Sequence, residues 1–239
     1  MATQFSPFLG ILMLDTAFPR ILGDAGNIKS YDCPARLKII KGAGSMEIVK
    51  DGEPAEDIAL AFCKAAQALE AEGATAIVST CGFLISVQEQ IANSVSIPVM
   101  VSSLSLYPVI RSVTANGKIG ILTASKTALG SGALKAAGIN PSDVTIAGLE
   151  DCVVFSNAIL TEKQNQPAKM DTAAIEKYAI HKSRELVDND PKISAILLEC
   201  GNLPPYTAAI AKATGLPVFS ILDGAKLIWK KNGYLHPNC

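Results

Sequence analysis

The stretch AIVSTCGFLISVQEQIANSVSIPV at residues 76–99 recurs without a gap 119 residues later, as AILLECGNLPPYTAAIAKATGLPV at residues 195–218. Each copy is typical of a buried strand, a Cys-Gly turn, a helix and the start of another strand. Self-similarity at a fixed spacing indicates a duplicated structural unit. The two copies are identical at nine aligned pairs of positions: Ala76/Ala195, Ile77/Ile196, Cys81/Cys200, Gly82/Gly201, Leu84/Leu203, Ile91/Ile210, Ala92/Ala211, Pro98/Pro217 and Val99/Val218.

The rest of the chain alternates short apolar runs with helical patterns, and a second match supports the duplication, because LGIL at 9–12 resembles IGIL at 119–122. Apolar strands that are each followed by a helix predict parallel sheets covered on both faces, and therefore an α/β fold. Strands are predicted at Phe8–Leu12, Leu37–Ile40, Ala76–Ser79, Ile97–Val101, Lys118–Thr123, Val144–Ala147, Ala195–Leu198 and Leu216–Ile221. Helices are predicted at Glu53–Glu72, Leu84–Ser94, Ser105–Ala115, Lys126–Ala137, Thr172–Asp188, Pro205–Thr214 and Asp223–Lys231.

The composition excludes several classes of protein. The 239 residues are 49% hydrophobic and carry a formal net charge of −1, so neither a disordered chain nor binding to nucleic acid or anionic membranes is expected. The apolar run at 8–14 is broken by Asp15 and predicts neither a membrane span nor a signal peptide. Six cysteines without close C-x-x-C pairs favour reduced thiols and a cytoplasmic location. His181 and His236 are too few for a histidine-based metal site, and no metal is expected.

Cys81 and Cys200 end equivalent strands and precede glycines, so we expect both thiols at one cleft, where α/β proteins bind ligands. A thiol before a helix N-terminus lies in a field that favours the thiolate, and the first N–H groups there suit a substrate carboxylate. One thiolate and one thiol on opposite faces of an α-carbon could invert it without pyridoxal phosphate. Cys63 fits core packing, and Cys33, Cys152 and Cys239 receive no role.

These features resemble the cofactor-independent aspartate/glutamate racemase superfamily, which also contains hydantoin and allantoin racemases, arylmalonate decarboxylases and maleate isomerases. The resemblance rests on TCGF around Cys81, ECGN around Cys200, the duplicated halves and the Asp15–Thr16 pair. It implies that Cys81 and Cys200 are the catalytic thiols, in a cleft between two pseudo-symmetric, flavodoxin-like lobes with mostly parallel sheets. It further implies that residues 98–215 form the second lobe and residues 1–97 plus 216–239 the first. A homodimer is compatible with the resemblance, although the residue pattern does not indicate one.

The expected function is a cofactor-independent racemase, an isomerase acting on a small carboxylate substrate such as aspartate or glutamate. The motifs depart from glutamate racemases, where Cys-Asn-Thr and Cys-Thr-His stand in place of Cys81-Gly82-Phe83 and Cys200-Gly201-Asn202. A hydantoin or allantoin racemase is the second hypothesis, and a maleate-type cis–trans isomerase is the third. A non-catalytic sensor of small ligands is the alternative outside enzymes, since it needs a cleft but not two thiols.

Several residues are candidates for binding the substrate. Asp15 and Thr16 follow the first strand and Thr123 and Ser125 its counterpart, where they either line the cleft or cap helices. Arg20, in the long segment 15–32, either pairs with a second substrate carboxylate or faces solvent or another subunit. The other candidates are Thr80, Gly82, Phe83, Gly201 and Asn202.

Nucleotide cofactors are not expected, because the glycine pairs at 42–44 and 130–132 lack a third spaced glycine. Glu199 either tunes the second thiol or belongs to a structural ion pair. Because Glu199 precedes Cys200 whereas the neutral Thr80 precedes Cys81, we predict that Cys81 is the more readily ionised thiol.

Overall fold

The computed structural model describes residues 6–230 and contains two four-stranded parallel sheets of the same topology. The first sheet has the order β2-β1-β3-β4, and the second has the order β6-β5-β7-β8. In each sheet the central pair has a register shift near its start, between Phe8 and Leu9 in one and between Lys118 and Ile119 in the other. The strands are β1 Phe8–Leu14, β2 Ala35–Ile40, β3 Ala74–Ser79, β4 Val99–Met100, β5 Lys118–Thr123, β6 Val144–Gly148, β7 Ile193–Leu198 and β8 Val218–Phe219.

The α-helices pack on the sheets and connect the strands. They are α1 Ser45–Ile48, α2 Glu56–Ala71, α3 Gln88–Ala92, α4 Tyr107–Val113, α5 Ser131–Ala136, α6 Val153–Ile159, α7 Thr172–Asn189, α8 Thr207–Thr214 and α9 Ile221–Ile228. The same hydrogen bond ends the central strand pair of each sheet, so Thr80 and Glu199 occupy equivalent positions. The Thr80 N–H donates to the Leu12 carbonyl at 3.1 Å, and the Glu199 N–H donates to the Leu122 carbonyl at 2.8 Å.

The predicted α/β class and the two-lobed architecture are confirmed, and every predicted strand is present. β1 and β7 are buried along almost their whole length, as expected for strands covered on both faces. α9 packs on β3 and β4, so the end of the described chain returns to the first sheet. The proposed lobe boundaries at 97/98 and 215/216 fall just before the edge strands β4 and β8 and stay a prediction.

The helix boundaries show where local chemistry changes the pattern. The helix predicted at 126–137 begins only at Ser131, because the Ser125 hydroxyl accepts from the Ala128 N–H in a tight turn and Gly130 is extended. The helix predicted at 84–94 starts as a 3₁₀ turn at Gly82–Val87. α6 was not predicted, since its sequence VVFSNAI is typical of a strand, but it packs Phe155, Ala158 and Ile159 into the core.

The two lobes also contact each other away from the Cys-Gly turns. The carboxylate of Asp51, from the first half, accepts the N–H groups of Gly132 and Ala133 at the start of α5. The Ser103 hydroxyl, which follows β4 of the first sheet, donates at 2.8 Å to the carbonyl of Leu198, the last residue of β7 in the second sheet. None of the helices in the described part of the chain has the length and apolar character needed to cross a bilayer. Residues His236 and Cys239 lie outside the described residues, as does Lys231, the last residue of the final predicted helix.

Candidate active site

The two Cys-Gly turns pack against each other where the lobes meet. A Cβ atom added at Gly82 would overlap the carboxylate and carbonyl of Glu199, and one added at Gly201 would overlap the carbonyl of Thr80. The residue before each cysteine therefore contacts the glycine after the other. Only glycine permits this approach, and the approach brings Cys81 and Cys200 to one enclosed cavity.

That cavity, which we call the inner cavity, has a volume of about 20 Å³, which is room for one water molecule. Arg20 is the only cationic side chain among the described residues that line it, and most of the others are apolar. Its lining comprises Leu14, Phe18, Arg20, Ser45, Val49, Thr80, Cys81, Phe83, Ala124, Ile159, Cys200 and Asn202. A substrate larger than water therefore enters only when the mouth of the cavity opens.

The thiol of Cys81 is buried in a mainly apolar environment. Burial and, after it, the nearby Glu199 carboxylate together raise its pKa to about 12. The Phe83 backbone N–H and the Arg20 guanidinium act in the opposite direction and lower the Cys81 pKa. In this buried environment Cys81 is therefore a neutral thiol at physiological pH, with the Arg20 cation placed to favour its ionisation.

The thiol of Cys200 has more acidic surroundings. Burial raises its pKa well above the ordinary range, and the carboxylates of Glu199 and Asp24 act in the same direction, while the Asn202 N–H lowers it. The Cys200 thiol donates to Oδ1 of Asn202 at 3.4 Å. Arg20 does not contribute here as it does at Cys81. This asymmetry agrees in direction with Cys81 being the more readily ionised thiol, which stays a prediction.

Arg20 is held inside the site rather than in solvent. Its side chain is only 10% exposed, pairs with Asp24 at 3.1 Å and donates to the Thr16 hydroxyl at 2.8 Å. The guanidinium carbon lies 4.2 Å from the centre of the Phe18 ring. Its buried Nε has no hydrogen-bond partner among the described residues. This nitrogen lies beside Gly26, while the two outer nitrogens of the guanidinium bond to Asp24 and Thr16.

Asp24 ties this arginine to the second cysteine. It accepts from Arg20 on one oxygen and from Nδ2 of Asn202 on the other, at 2.7 Å, and it is 2% exposed. Asn202 in turn accepts from the Cys200 thiol. A continuous polar chain thus runs from Arg20 through Asp24 and Asn202 to Cys200.

Two segments, one from each half, contact each other beside the inner cavity, and we infer that they close its mouth. Oδ1 of Asp15 pairs with Nζ of Lys163 at 2.5 Å, and Oε1 of Gln166 accepts from the Ala17 N–H at 2.6 Å. The Lys163 pairing lowers the pKa of Asp15. Asp15 lines an outer depression together with Ser45 and Lys163, and Ser45 also lines the inner cavity. The Asp15–Lys163 pair therefore stands at the boundary between the outer depression and the inner cavity.

The other predicted site residues have supporting positions. Thr80 lines the cavity, and its hydroxyl accepts from the Leu14 N–H at 3.2 Å. Thr123 is fully buried and donates to Glu199, whereas Ser125 bonds locally with Thr127 and does not line the cavity. Thr16 supports Arg20. None of these side chains is the N-cap of a described α-helix.

Sequence reasoning missed Asp24, Ser45 and Ile159 as site residues. Asp24 lies in the long segment 15–32. Its position four residues after Arg20, a spacing at which an acid and an arginine can pair, was the available signal in the sequence. Ser45 follows the Gly42–Gly44 turn, which was considered only as a nucleotide motif. Ile159 belongs to the unpredicted helix α6, so no signal pointed to it. Within residues 6–230, no group of three or more His, Cys, Asp or Glu side chains could hold a metal ion.

A family model described as Asp/Glu/Hydantoin racemase matches residues 36–228, and so includes both Cys-Gly turns. The chain belongs to this family. Its fold is shared with a glutamate racemase isoform from Bacillus anthracis, with a TM-score of 0.58 and 18% identity over 97% of this chain and 85% of that one. A mutant of arylmalonate decarboxylase in its sulfate-associated form gives a TM-score of 0.59 and 15% identity, with 97% of each chain covered.

Curated relatives correct the expected activity. The chain is 30% identical to a dimethylsulfoniopropionate lyase of Durusdinium sp. clade D over 91% of its own length and 72% of that protein. It is 29% identical to dimethylsulfoniopropionate lyase 7 of Emiliania huxleyi, strain CCMP1516, over 90% of its length and 64% of that protein. These relatives are lyases. The prediction of an amino-acid racemase, and of an isomerase altogether, is therefore wrong, although the racemase family and fold stand.

Proposed function

We propose that this protein is a lyase that cleaves dimethylsulfoniopropionate, or a closely related β-sulfonio carboxylate, into an unsaturated acid and a dialkyl sulfide. The observation that carries the proposal is the inner cavity itself: one guanidinium, Arg20, faces two thiols, and the remaining walls are largely apolar. The named activity of the curated relatives supports it. An acidic amino acid carries two carboxylates, for which the cavity lining offers a single cation.

Arg20 is the proposed anchor for the substrate carboxylate. A guanidinium binds a carboxylate through parallel N–H donors, and Arg20 is the only cation among the described residues that line the cavity. Phe18 beneath the guanidinium and Asp24 beside it fix its orientation. Thr80 and Ser45 add hydroxyl groups to the same cavity.

The dimethylsulfonium group would occupy the apolar part of the cavity. Its methyl groups suit side chains such as Val49, Phe83 and Ile159, and an aromatic ring attracts a cation near its face. The sulfonium charge has a second effect, because a cation beside a thiol lowers the pKa of that thiol. Binding of this substrate would therefore promote the thiolate that the empty site disfavours.

Cys81 is the proposed base. Its thiolate removes a proton from the carbon next to the carboxylate, and the electron pair forms the carbon–carbon double bond. The bond between the β-carbon and sulfur breaks, and dimethyl sulfide leaves as a neutral molecule with the electrons of that bond. The products are acrylate and dimethyl sulfide, and the proton taken by Cys81 is later released to water.

Cys200 is proposed to remain protonated during this step. Its thiol proton is held by Asn202, and the Asp24 and Glu199 carboxylates disfavour its ionisation. A neutral leaving group needs no proton, so elimination requires only one basic thiol, whereas inversion requires two. The second thiol would then serve to fill and polarise the opposite wall of the cavity.

Incubation of the purified protein with dimethylsulfoniopropionate tests the proposal. Equal amounts of dimethyl sulfide, by headspace gas chromatography, and acrylate, by liquid chromatography, are expected. Absence of both products from a folded preparation would refute the proposal. The cytoplasmic location and the catalytic role of Cys81 stay part of this proposal.

A further inference from the structure

Glu199 is the one buried carboxyl group that lies between the two thiols and has no part in the proposed elimination. It is 1% exposed and stands between the end of β7 and Cys200. Its Oε2 accepts from the Thr123 hydroxyl at 2.8 Å. Its Oε1 is buried and has no hydrogen-bond partner among the described residues. A carboxyl group with one unpaired oxygen in this position is costly unless it is neutral.

Among the residues that the structure describes, no cation compensates the charge of Glu199. Gly82 packs against its carboxylate from the first half, which places Cys81 next to the contact, and Cys200 follows it in the chain. None of the ion pairs in the described part of the chain includes it. Burial raises the pKa of Glu199 to about 7, and only the Thr123 hydrogen bond acts against this. The titratable groups that respond to Glu199 are thus the two thiols.

The charge of Glu199 acts on both thiols at once. Its carboxylate raises the pKa of Cys81 and the pKa of Cys200, and after burial it is the largest cause at each. The glycine at position 82 permits this contact, since any side chain there would displace the carboxylate. Thr80, which takes the equivalent position in the first half, is uncharged. The duplicated site therefore contains a single acidic group that is shared between its two thiols.

We propose that Glu199 is a positioning residue that controls the ionisation of both cysteines: as a neutral acid it permits a thiolate, and as a carboxylate it keeps both thiols protonated. This proposal rests on the proposed function only in assigning a thiolate as the base. Thr123 influences the equilibrium between neutral and charged Glu199, because its hydrogen bond favours the charged form. Above neutral pH, deprotonation of the thiol alone would raise the activity. Glu199 becomes charged in the same pH range, and its carboxylate therefore limits that rise.

The test measures thiol reactivity and needs no substrate. Wild type and Glu199→Gln are alkylated with iodoacetamide at pH values from 6 to 9, and Cys81, Cys200 and Cys33 are followed separately by peptide mass spectrometry. Glutamine keeps the shape of the side chain but carries no charge. Cys33 is the internal control, because Asp32 and burial affect its pKa and Glu199 does not.

At pH 6 we expect Cys81 and Cys200 to be alkylated at nearly the same rate in Glu199→Gln as in wild type, so the ratio of the two rates is near one. It rises to at least about fivefold at pH 8, since one pKa unit changes the thiolate fraction about tenfold. At Cys33 the ratio stays at one. Thr123→Val is the second variant, in which Glu199 stays neutral to higher pH, and faster alkylation at pH 8 is again expected.

A ratio of one at both active-site thiols across the pH range, in variants with unchanged circular dichroism, would overturn the proposal. So would a ratio that is raised equally at pH 6 and pH 8, because that result reflects a loosened structure and not a lost charge. Either outcome is independent of whether dimethylsulfoniopropionate is the substrate.

Discussion

Asn202 and Asp24 are 178 residues apart in the chain and share a partly buried hydrogen bond of 2.7 Å, in which the amide nitrogen of Asn202 donates to a carboxylate oxygen of Asp24. Asn202 also accepts from the Cys200 thiol, and Asp24 also pairs with Arg20. The bond therefore joins the proposed carboxylate anchor of one half to the thiol of the other. The proposed carboxylate anchor and the second cysteine are therefore held by one connected set of side chains.

Replacing Arg20 by lysine should weaken the enzyme strongly. Lysine has a point charge and no planar pair of donors, so one charge-assisted hydrogen bond to the substrate carboxylate is lost. We expect kcat/KM to fall roughly 10- to 100-fold, mainly through KM. Arg36→Lys is the matched control, because Arg36 also stacks on a phenylalanine at 4.2 Å but lies on the edge strand β2. A similar loss in both variants would show that stacking, and not substrate binding, causes the effect.

Gly82→Ala should destabilise the fold, because the new Cβ would overlap Glu199 and the lobes would have to separate. Overpacking of this kind costs on the order of 1–3 kcal/mol in the free energy of unfolding, which urea denaturation measures. Gly120→Ala is the control, since a Cβ there meets Ile193 at an ordinary 3.4 Å. If the two variants were equally stable, the close approach of the Cys-Gly turns would be contradicted.

The buried carboxyl of Glu199 should make stability depend on pH. Its pKa is about 7 in the folded state, against an ordinary value of 4.5, so between these values the folded state binds more protons than the unfolded state. The free energy of unfolding therefore falls as pH rises from 4.5 to 7, by about 3 kcal/mol for this group. Subtracting the profile of Glu199→Gln from that of wild type isolates the contribution. A difference that is constant with pH would contradict it.

Lys163→Ala should open the mouth of the inner cavity without unfolding the protein. The Lys163 side chain is 49% exposed, so its pairing with Asp15 contributes under about 1 kcal/mol to stability. Because the pair joins the two segments over the mouth, its loss should speed alkylation of Cys81 and Cys200 at low salt. In wild type, added salt should have the same effect by screening the pair.

Lys169→Ala provides the comparison for that experiment, since Lys169 is an exposed lysine of the same segment. Its alkylation rates and their salt dependence should match wild type. Equal rates in wild type, Lys163→Ala and Lys169→Ala at low salt would mean that the Asp15–Lys163 pair does not control access.

The architecture could be predicted because the repeat at 76–99 and 195–218 indicates two structural units of the same topology. Both thiols were found for the same reason, since each follows a buried strand and precedes a glycine. The activity could not be predicted in this way. Racemisation and elimination begin with the same removal of a proton beside a carboxylate, so the Cys-Gly turns alone do not distinguish them. The curated relatives corrected this assignment.

The side chains that complete the cavity were harder to find. Asp24 and Ser45 lie in irregular segments whose path depends on tertiary contacts, such as the bond from the Ala25 N–H to the Gly201 carbonyl. Arg20 was recognised as a candidate for substrate binding, but the sequence could not decide whether its side chain lies in the site or faces solvent or another subunit. For Glu199, sequence left open whether it tunes a thiol or joins an ion pair, and its carboxylate lies against Gly82 at the lobe contact.

Release of dimethyl sulfide by wild type, Cys81→Ser and Cys200→Ser tests the central claim most directly. Each protein is given dimethylsulfoniopropionate, either unlabelled or with deuterium in place of both hydrogens on the carbon next to the carboxylate. Wild type should release dimethyl sulfide, and more slowly from the deuterated substrate. Cys81→Ser should lose about 10²- to 10⁴-fold in rate, and Cys200→Ser should lose less. Undiminished release by Cys81→Ser, or no release by a folded wild-type protein, would contradict the account.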